Sequence, residues 1–240
     1  MTAFFVSDLH FGLFSREEEK ERERKFVEFL EFTKNEAEQL FIVGDLFDYW
    51  FEYKRVIQKG YFRTFTALQN LTEAGIKVHY IIGNHDFMHR DFFKKELSVN
   101  VYENPLDIII DEKRFFVAHG DGLVANDLGY QILKKILRNK TAQKLYSLVH
   151  PDFGIWLASS SSKKSRKFTK EKSYGETDGM FEAAKKIINN GYDYVIFGHS
   201  HNKREEILDK GEYYNLGTWL KIPYYGKFSS GKFEIIEWKK

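Results

Sequence analysis

The 240-residue chain has no cysteine, only three prolines and no long uninterrupted apolar run. Without cysteine it can form neither disulfides nor thiolate metal sites, so any metal must be held by His, Asp, Asn or Glu. No apolar stretch approaches the ~20 residues that span a bilayer. The N-terminal sequence "MTAFFVSDLHFG" lacks a basic start and makes a poor signal peptide, so we expect a cytoplasmic protein.

The overall composition indicates a folded chain with a substantial core. Hydrophobic residues make up 42% and aromatic residues 17%, which suits one large domain over residues 1–240, with room for an insertion. The formal net charge is only +2, so the molecule as a whole is not an obvious nucleic-acid binder.

Five short apolar runs are each followed by a turn that carries Asp, His or Asn. The runs are rich in Val, Ile and Phe, which favours buried strands over helices. They occur in "AFFVSDLHFG", "LFIVGDLFDYW", "HYIIGNHDF", "FFVAHGDG" and "YVIFGHSHN". Amphipathic stretches over residues 16–38 and 58–74 separate the first three runs and predict helices. Alternating strands and helices predict a parallel sheet, and ligands bind at the carboxyl ends of such strands, where these turns fall.

The turns supply seven candidate metal ligands. Imidazole, carboxylate and carboxamide groups suit Mn²⁺, Fe²⁺ or Zn²⁺. Seven ligands are too many for one tetrahedral ion and suit two octahedral ions that share a carboxylate, an arrangement that promotes phosphate-ester hydrolysis. We also expect the glycines at 44, 83, 120 and 198 to let a phosphate approach the backbone closely. The seven candidates are Asp8, His10, Asp45, Asn84, His119, His199 and His201.

Taken singly, each of these motifs is a weak signal. Most histidines in an Asp-x-His or His-x-His sequence are surface residues or satisfied core groups. Here, however, five of the eight histidines lie in turns of one kind, and together they make a strong pattern. The other three, His79, His89 and His150, lie outside these turns and receive no role.

The blocks "DLH", "GDLFD", "GNHD", "HGD" and "GHSH" resemble, in this order, the signature of the calcineurin-like metallophosphoesterases. The resemblance runs from Asp8 to His201. It implies an α/β fold, a two-sheet β-sandwich flanked by helices, in which the chain's last strands form part of the second half. It also implies a metal-dependent phosphoesterase with two divalent ions, Mn²⁺ before Fe²⁺ or Zn²⁺.

The resemblance also implies a role for each site residue. Asp45 would bridge the two metals. His85 would act as a general acid or as an electrostatic partner of the phosphate, oriented by Asp86. The remaining ligands would divide into two sets, Asp8, His10 and His201 for one metal and Asn84, His119 and His199 for the other.

Residues 122–174 form a predicted helical insertion, or cap, outside the common scaffold. Between residues 131 and 172, eleven Lys or Arg stand against two acidic residues, among many Leu, Ile and Phe. A basic and apolar segment beside a phosphate-hydrolysing site suggests an amphiphilic anion as substrate, and contact with a membrane surface.

The insertion resembles that of the UDP-2,3-diacylglucosamine pyrophosphohydrolases, lipid A pathway enzymes that release UMP and lipid X. By this resemblance Asp127 and Tyr130 would contact the substrate head group, and Arg166 its phosphates. The protein would act on a UDP-linked acylated sugar, peripheral to the inner face of the membrane.

Other interpretations stay open at this point. Many members of that enzyme family have "GNRD" where this chain has "GNHD", which keeps a generic phosphodiesterase or pyrophosphatase acting on nucleotides, nucleic acid or phosphoprotein in view. The insertion could instead shield the core or form a dimer contact. A non-catalytic scaffold would be expected to have lost ligands, and this chain retains all seven. Nucleic acid is disfavoured because a groove that tracks a nucleic-acid backbone does not need such dense apolar residues.

Overall fold

A computed structural model describes residues 1–123, 135, 138–157, 160 and 176–239. The described strands, numbered in chain order, are β1 Ala3–Val6, β2 Gln39–Val43, β3 Lys77–Ile81, β4 Asn100–Tyr102, β5 Leu106–Ile110, β6 Lys113–Val117, β7 Tyr194–Phe197, β8 Lys203–Leu208, β9 Gly211–Leu216, β10 Tyr224–Ser229 and β11 Lys232–Glu237. The described helices are α1 Arg16–Lys34, α2 Phe62–Glu73, α3 Phe92–Lys95, α4 Lys140–Tyr146 and α5 Glu176–Asn189. Residues 151–157 are also helical.

The strands form two sheets. The first has the order β11-β10-β1-β2-β3-β4, with β1 to β4 parallel, and the second has the order β5-β6-β7-β9-β8, with β6, β7 and β9 parallel. In the layer between the sheets, the Phe5 ring stacks on Phe41 of the same sheet at 4.6 Å and on Phe115 of the second sheet at 6.0 Å between centroids. This arrangement confirms the predicted α/β two-sheet sandwich flanked by helices.

Helix α1 covers the outer face of the first sheet. Ser15 and Glu18 form a capping box at its start: Ser15 Oγ accepts from the Glu18 N–H, and Glu18 Oε2 accepts from the Ser15 N–H at 3.1 Å. Phe26, Phe29 and Leu30 make up its buried apolar face. With helices on one face of the sheet and a second sheet on the other, all of β1 is buried, which explains why its sequence does not alternate.

The helices predicted over residues 16–38 and 58–74 are confirmed, with shorter bounds of Arg16–Lys34 and Phe62–Glu73. Of the predicted insertion, only residues 122–123, 135, 138–157 and 160 are described, and the substrate-binding predictions for Asp127, Tyr130 and Arg166 lie outside the described residues. Among the described helices, none combines the length and the apolar character that crossing a bilayer requires.

Candidate metal centre

The turns after five strands meet at one edge of the sandwich and hold strained residues. Backbone bonds join the turns after β1 and β2: the N–H of His10 donates to Asp45 O at 2.9 Å, and that of Phe11 to Leu46 O at 2.9 Å. A left-handed backbone costs a non-glycine residue about 1–2 kcal/mol, so it persists only where surrounding contacts impose it. Five of the seven candidate ligands adopt it, with φ between 50° and 67°: Asp8, His10, Asp45, His199 and His201.

Asp8, His10 and His201 form a first cluster. The Nε2 atoms of His10 and His201 lie 3.0 Å apart, and Asp8 Oδ1 lies 3.5 Å and 3.2 Å from them, respectively. Asp8 is fully buried, and Oδ2 accepts from the His199 N–H at 2.9 Å and from the Ser7 hydroxyl. Oδ1 has no hydrogen-bond partner. A buried carboxylate oxygen without a donor is costly, so this oxygen marks a place for a cation.

Asp45, Asn84 and His119 form a second cluster. A backbone carbonyl can only accept, so the 2.9 Å contact between His119 Nδ1 and Val43 O places the ring proton on Nδ1. His119 Nε2 then presents a lone pair 3.0 Å from Asn84 Oδ1 and 3.3 Å from Asp45 Oδ2. Three acceptor atoms facing one another are stable only with a proton or a metal ion among them.

Asp45 lies between the two clusters, and His199 lies beside the second. Asp45 Oδ2 is 3.7 Å from His10 Nε2, besides its 3.3 Å contact with His119 Nε2. The His199 ring packs against the His119 ring at 5.1 Å between centroids. All seven predicted ligands therefore lie in one connected group at the strand ends.

The pKa values show how strongly this group attracts positive charge. Burial alone would lower the pKa of His10, but Asp48, Asp8 and Asp45 outweigh it and raise that pKa to about 9. Burial would raise the pKa of Asp8, yet the neighbouring histidines, His10 and His201 foremost, hold it well below its usual range. The site thus favours ionised carboxylates and a nearby cation, which a divalent metal provides.

The residues present fit a bound divalent metal. Within the described part of the chain, three groups of His and Asp place one ligand atom each within 4.8 Å of one another. Nitrogen and oxygen donors without sulfur suit first-row divalent ions. The groups are Asp8, His10 and His201; His10, Asp45 and His85; and Asp8, Asp45 and His119.

His85 lies at the mouth of the site, but its predicted orientation by Asp86 is wrong. Its Nδ1 donates to Asp48 O at 3.0 Å and lies 3.7 Å from Asp48 Oδ1, so Asp48 helps to hold the ring. The Asp86 carboxylate instead accepts from the N–H groups of Leu46 at 2.7 Å and Gly83 at 2.8 Å. Side chains that are adjacent in sequence point in different directions in this turn, so Asp86 fixes the backbone of both loops.

A family model for calcineurin-like phosphoesterases matches residues 1–203. The chain belongs to this family. It is 30% identical over 240 residues to a UDP-2,3-diacylglucosamine hydrolase of Porphyromonas gingivalis, with 92% of both chains covered. It is 28% identical to the enzyme of that name from Proteus mirabilis, with 99% of both chains covered. The solved structure of an archaeal phosphodiesterase matches with a TM-score of 0.51 at 15% identity over 99% of both chains, which supports the fold.

Two of the signature glycines serve a purpose beyond the one predicted. A Cβ at Gly83 would lie 2.0 Å from Asp45 Oδ1, and one at Gly198 would lie 2.6 Å from Asp8 Oδ2. The expectation that a phosphate approaches the backbone here stays a prediction. The space belongs to the carboxylates, and any side chain at either glycine would displace a candidate ligand.

Several residues that support the site were missed by the sequence analysis. Arg22 on α1 donates to the carbonyls of Leu9 and His10, and Thr218 Oγ1 donates to Asp8 O at 3.0 Å. These residues are far from the motifs in sequence and carry no local signal. Asp48 did carry a local sequence signal, because it lies three residues after Asp45 on the same polar turn.

Proposed function

We propose that this protein hydrolyses the pyrophosphate bond of UDP-2,3-diacylglucosamine, giving UMP and 2,3-diacylglucosamine 1-phosphate (lipid X). The observation that carries the proposal is the similarity to curated UDP-2,3-diacylglucosamine hydrolases at 28–30% identity over nearly the whole of both chains. The similarity covers the insertion as well as the metal centre. It is therefore stronger support for a shared substrate than a similar fold alone would be. Such a reaction would be a step of lipid A biosynthesis.

Two divalent ions, Mn²⁺ first and Fe²⁺ or Zn²⁺ as alternatives, would complete the site. Asp45, between the clusters, would be the shared ligand. When bound, the ions would supply an activated water and positive charge at the phosphate. The other ligands would form two sets, Asp8, His10 and His201 in one and Asn84, His119 and His199 in the other.

His85 would act directly on the substrate. Because its Nδ1 donates to the Asp48 carbonyl, any proton that it exchanges or hydrogen bond that it gives to the phosphate involves Nε2. Its side chain is 20% exposed, which leaves it reachable from the mouth of the site. A protonated ring there would stabilise negative charge on the phosphate or protonate the leaving group.

The basic and apolar insertion would bind the lipid part of the substrate. Its excess of Lys and Arg suits the phosphates, and its apolar residues suit the acyl chains and the membrane surface on which the substrate resides. Asp127 and Tyr130 would contact the head group, and Arg166 the phosphates.

If Arg166 binds the phosphates, Arg166→Gln should raise KM with little change in kcat. An unchanged KM would contradict this role.

The first experiment is a UMP-release assay with purified protein, UDP-2,3-diacylglucosamine and Mn²⁺, beside a sample treated with EDTA. Rapid release that EDTA abolishes and Mn²⁺ restores is the expected result. Bis(4-nitrophenyl) phosphate, a small diester, serves as a second substrate in both samples. Cleavage of the diester without UMP release would show that UDP-2,3-diacylglucosamine is not the substrate, while still supporting phosphoesterase activity. Activity that survives EDTA would reject the metal dependence.

A generic phosphodiesterase or pyrophosphatase is the second candidate. The observation in its favour is His85, which follows Asn84 where many enzymes resembling this one have arginine. A screen of nucleotide diphosphate sugars and dinucleotide polyphosphates would identify it by a kcat/KM above that for UDP-2,3-diacylglucosamine.

A further inference from the structure

The described part of the insertion is largely exposed. Helix α4 has no buried residue, and Leu145 and Leu148 are 63% and 80% exposed. Within residues 138–157, Gly154 is the one buried residue. This described part of the insertion therefore lies largely on the surface, and its buried contacts with the scaffold matter most for its position.

A chain of two hydroxyl hydrogen bonds connects α4 to the loop after β2. Tyr49 donates to the hydroxyl of Tyr146 at 3.0 Å, and Tyr146 donates to the carbonyl of Gly154 at 2.7 Å. The Tyr146 ring also packs against Phe51 at 4.8 Å between centroids. One side chain thus joins α4, the helical segment 151–157 and the scaffold.

The scaffold side of this contact is held by contacts within the scaffold. Trp50 is fully buried in the core between the first sheet and helices α1 and α2, and Tyr49 beside it is 8% exposed. The adjoining Glu52 is 2% exposed, and its Oε2 accepts from three backbone N–H groups over residues 90–92, at 2.7 to 3.1 Å. Because the loop is held by the scaffold whereas α4 is largely exposed, the contact positions the insertion on the loop, rather than the reverse.

Gly154 allows the close approach. A Cβ at this position would lie 2.6 Å from Tyr53 Oη and 3.1 Å from Tyr146 Oη. Alanine would otherwise be favoured over glycine in a helical segment. The packing of the segment against the two tyrosines explains why residue 154 is glycine and not alanine.

We infer that Tyr146 is a positioning residue: with Gly154 it docks the insertion beside the catalytic centre and thereby sets the affinity for substrates that reach the insertion. The inference rests on the proposed function in taking the insertion to bind the lipid part of the substrate. Tyr146 has no part in the chemistry. Its loss should therefore weaken binding of the large substrate and spare turnover of a small one.

The test compares Tyr146→Phe and Gly154→Ala with a matched control, Tyr192→Phe, which removes a hydroxyl that donates to Asp107 on the second sheet. With Mn²⁺, we expect KM for UDP-2,3-diacylglucosamine to rise about five- to tenfold in both docking variants. The kcat should stay within about twofold, as should kcat/KM for bis(4-nitrophenyl) phosphate. The control should match the wild type on both substrates.

Limited trypsin digestion gives a readout independent of activity. Cleavage after Arg138, Lys140 or Lys144, followed by mass spectrometry, should be several-fold faster in both docking variants than in the wild type and the control. Unchanged KM together with unchanged cleavage would overturn the inference, as would a parallel fall in kcat on both substrates. If the wild type cleaves the diester but not UDP-2,3-diacylglucosamine, the proposed function fails, and the digestion alone decides whether Tyr146 docks the insertion.

Discussion

At the scale of single residues, the candidate site places buried acceptor atoms close to one another. Asp8 Oδ1 has no hydrogen-bond partner, and His119 Nε2 faces the oxygens of Asn84 and Asp45. Such an arrangement is unfavourable without a cation, and the left-handed backbone at five of the ligands adds to its cost. Binding of a divalent ion would offset both terms.

Replacing Asp45 should therefore remove metal and activity together. Asp45→Ala takes away the carboxylate between the two clusters. Because loss of an outer-shell partner alone costs roughly 10–100-fold, we expect turnover to fall by more than about 100-fold. Metal content by mass spectrometry should fall as well. Asp107→Ala removes an exposed carboxylate on the second sheet and should leave both quantities unchanged. Near-wild-type turnover in purified Asp45→Ala would contradict the bridging role.

Asp48 offers a test of how His85 is held. Its side chain lies 3.6 Å from His10 Nδ1 and 3.7 Å from His85 Nδ1, while its carbonyl accepts from His85. Asp48→Asn keeps the size and the backbone contact but removes the charge. We expect kcat to fall about 10–100-fold with metal content retained. A kcat within twofold of wild type would show that the carboxylate charge is not needed.

At the scale of elements, strand β3 carries a buried histidine whose protonation is unfavourable. His79 stacks on Phe41 at 4.6 Å, its Nε2 contacts Gln39 Oε1 at 3.1 Å, and its Nδ1 contacts the Tyr102 hydroxyl at 2.9 Å. Burial, with a smaller contribution from Lys77, lowers its pKa from 6.5 to about 4. Between these two pH values the unfolded chain binds more protons than the folded one, so stability falls as the pH drops.

The contribution of His79 can be measured by urea unfolding at pH 7 and pH 5 in EDTA. The difference in its pKa corresponds to a loss of about 2 kcal/mol between these pH values. His79→Gln cannot be protonated, so its loss of stability over the same interval should be about 2 kcal/mol smaller than that of the wild type. Equal pH dependence in both proteins would show that His79 stays neutral in the unfolded chain or is protonated freely in the folded one.

The strands and the clustering of the candidate ligands could be predicted because each depends on local sequence. A buried strand needs a short apolar run, and the ligands follow such runs directly, as Asp8 follows β1 and His199 follows β7. The hydrogen-bond partner of His85 could not be predicted from the sequence. Neighbouring side chains in a turn diverge, and Asp48 contacts the ring from another loop. Contacts such as Tyr49 with Tyr146 join residues 97 positions apart, and neither residue lies in a pattern that signals the other.

At the scale of the whole molecule, the candidate ligands come from both sheets. Asp8, Asp45 and Asn84 follow strands of the first sheet, whereas His119, His199 and His201 follow β6 and β7 of the second. A metal ion held by both sets would connect the two halves of the sandwich at one edge. Because the unfolded chain cannot assemble the site, the free energy of binding adds to the free energy of unfolding.

Metal binding should therefore stabilise the entire fold. At a free metal concentration of about 100 Kd, one site contributes about 2.7 kcal/mol, and for a domain of this size that raises Tm by roughly 5–10 °C. Calorimetry of chelator-treated protein titrated with Mn²⁺ measures the shift, and Mg²⁺ at the same concentration tests ion selectivity. Asp45→Ala should show a much smaller shift, because one removed carboxylate weakens both sets of ligands. A wild-type Tm that does not respond to Mn²⁺ would mean that the acceptor cluster is neutralised by protons, as the raised pKa of His10 allows, and would count against a metal-dependent hydrolase.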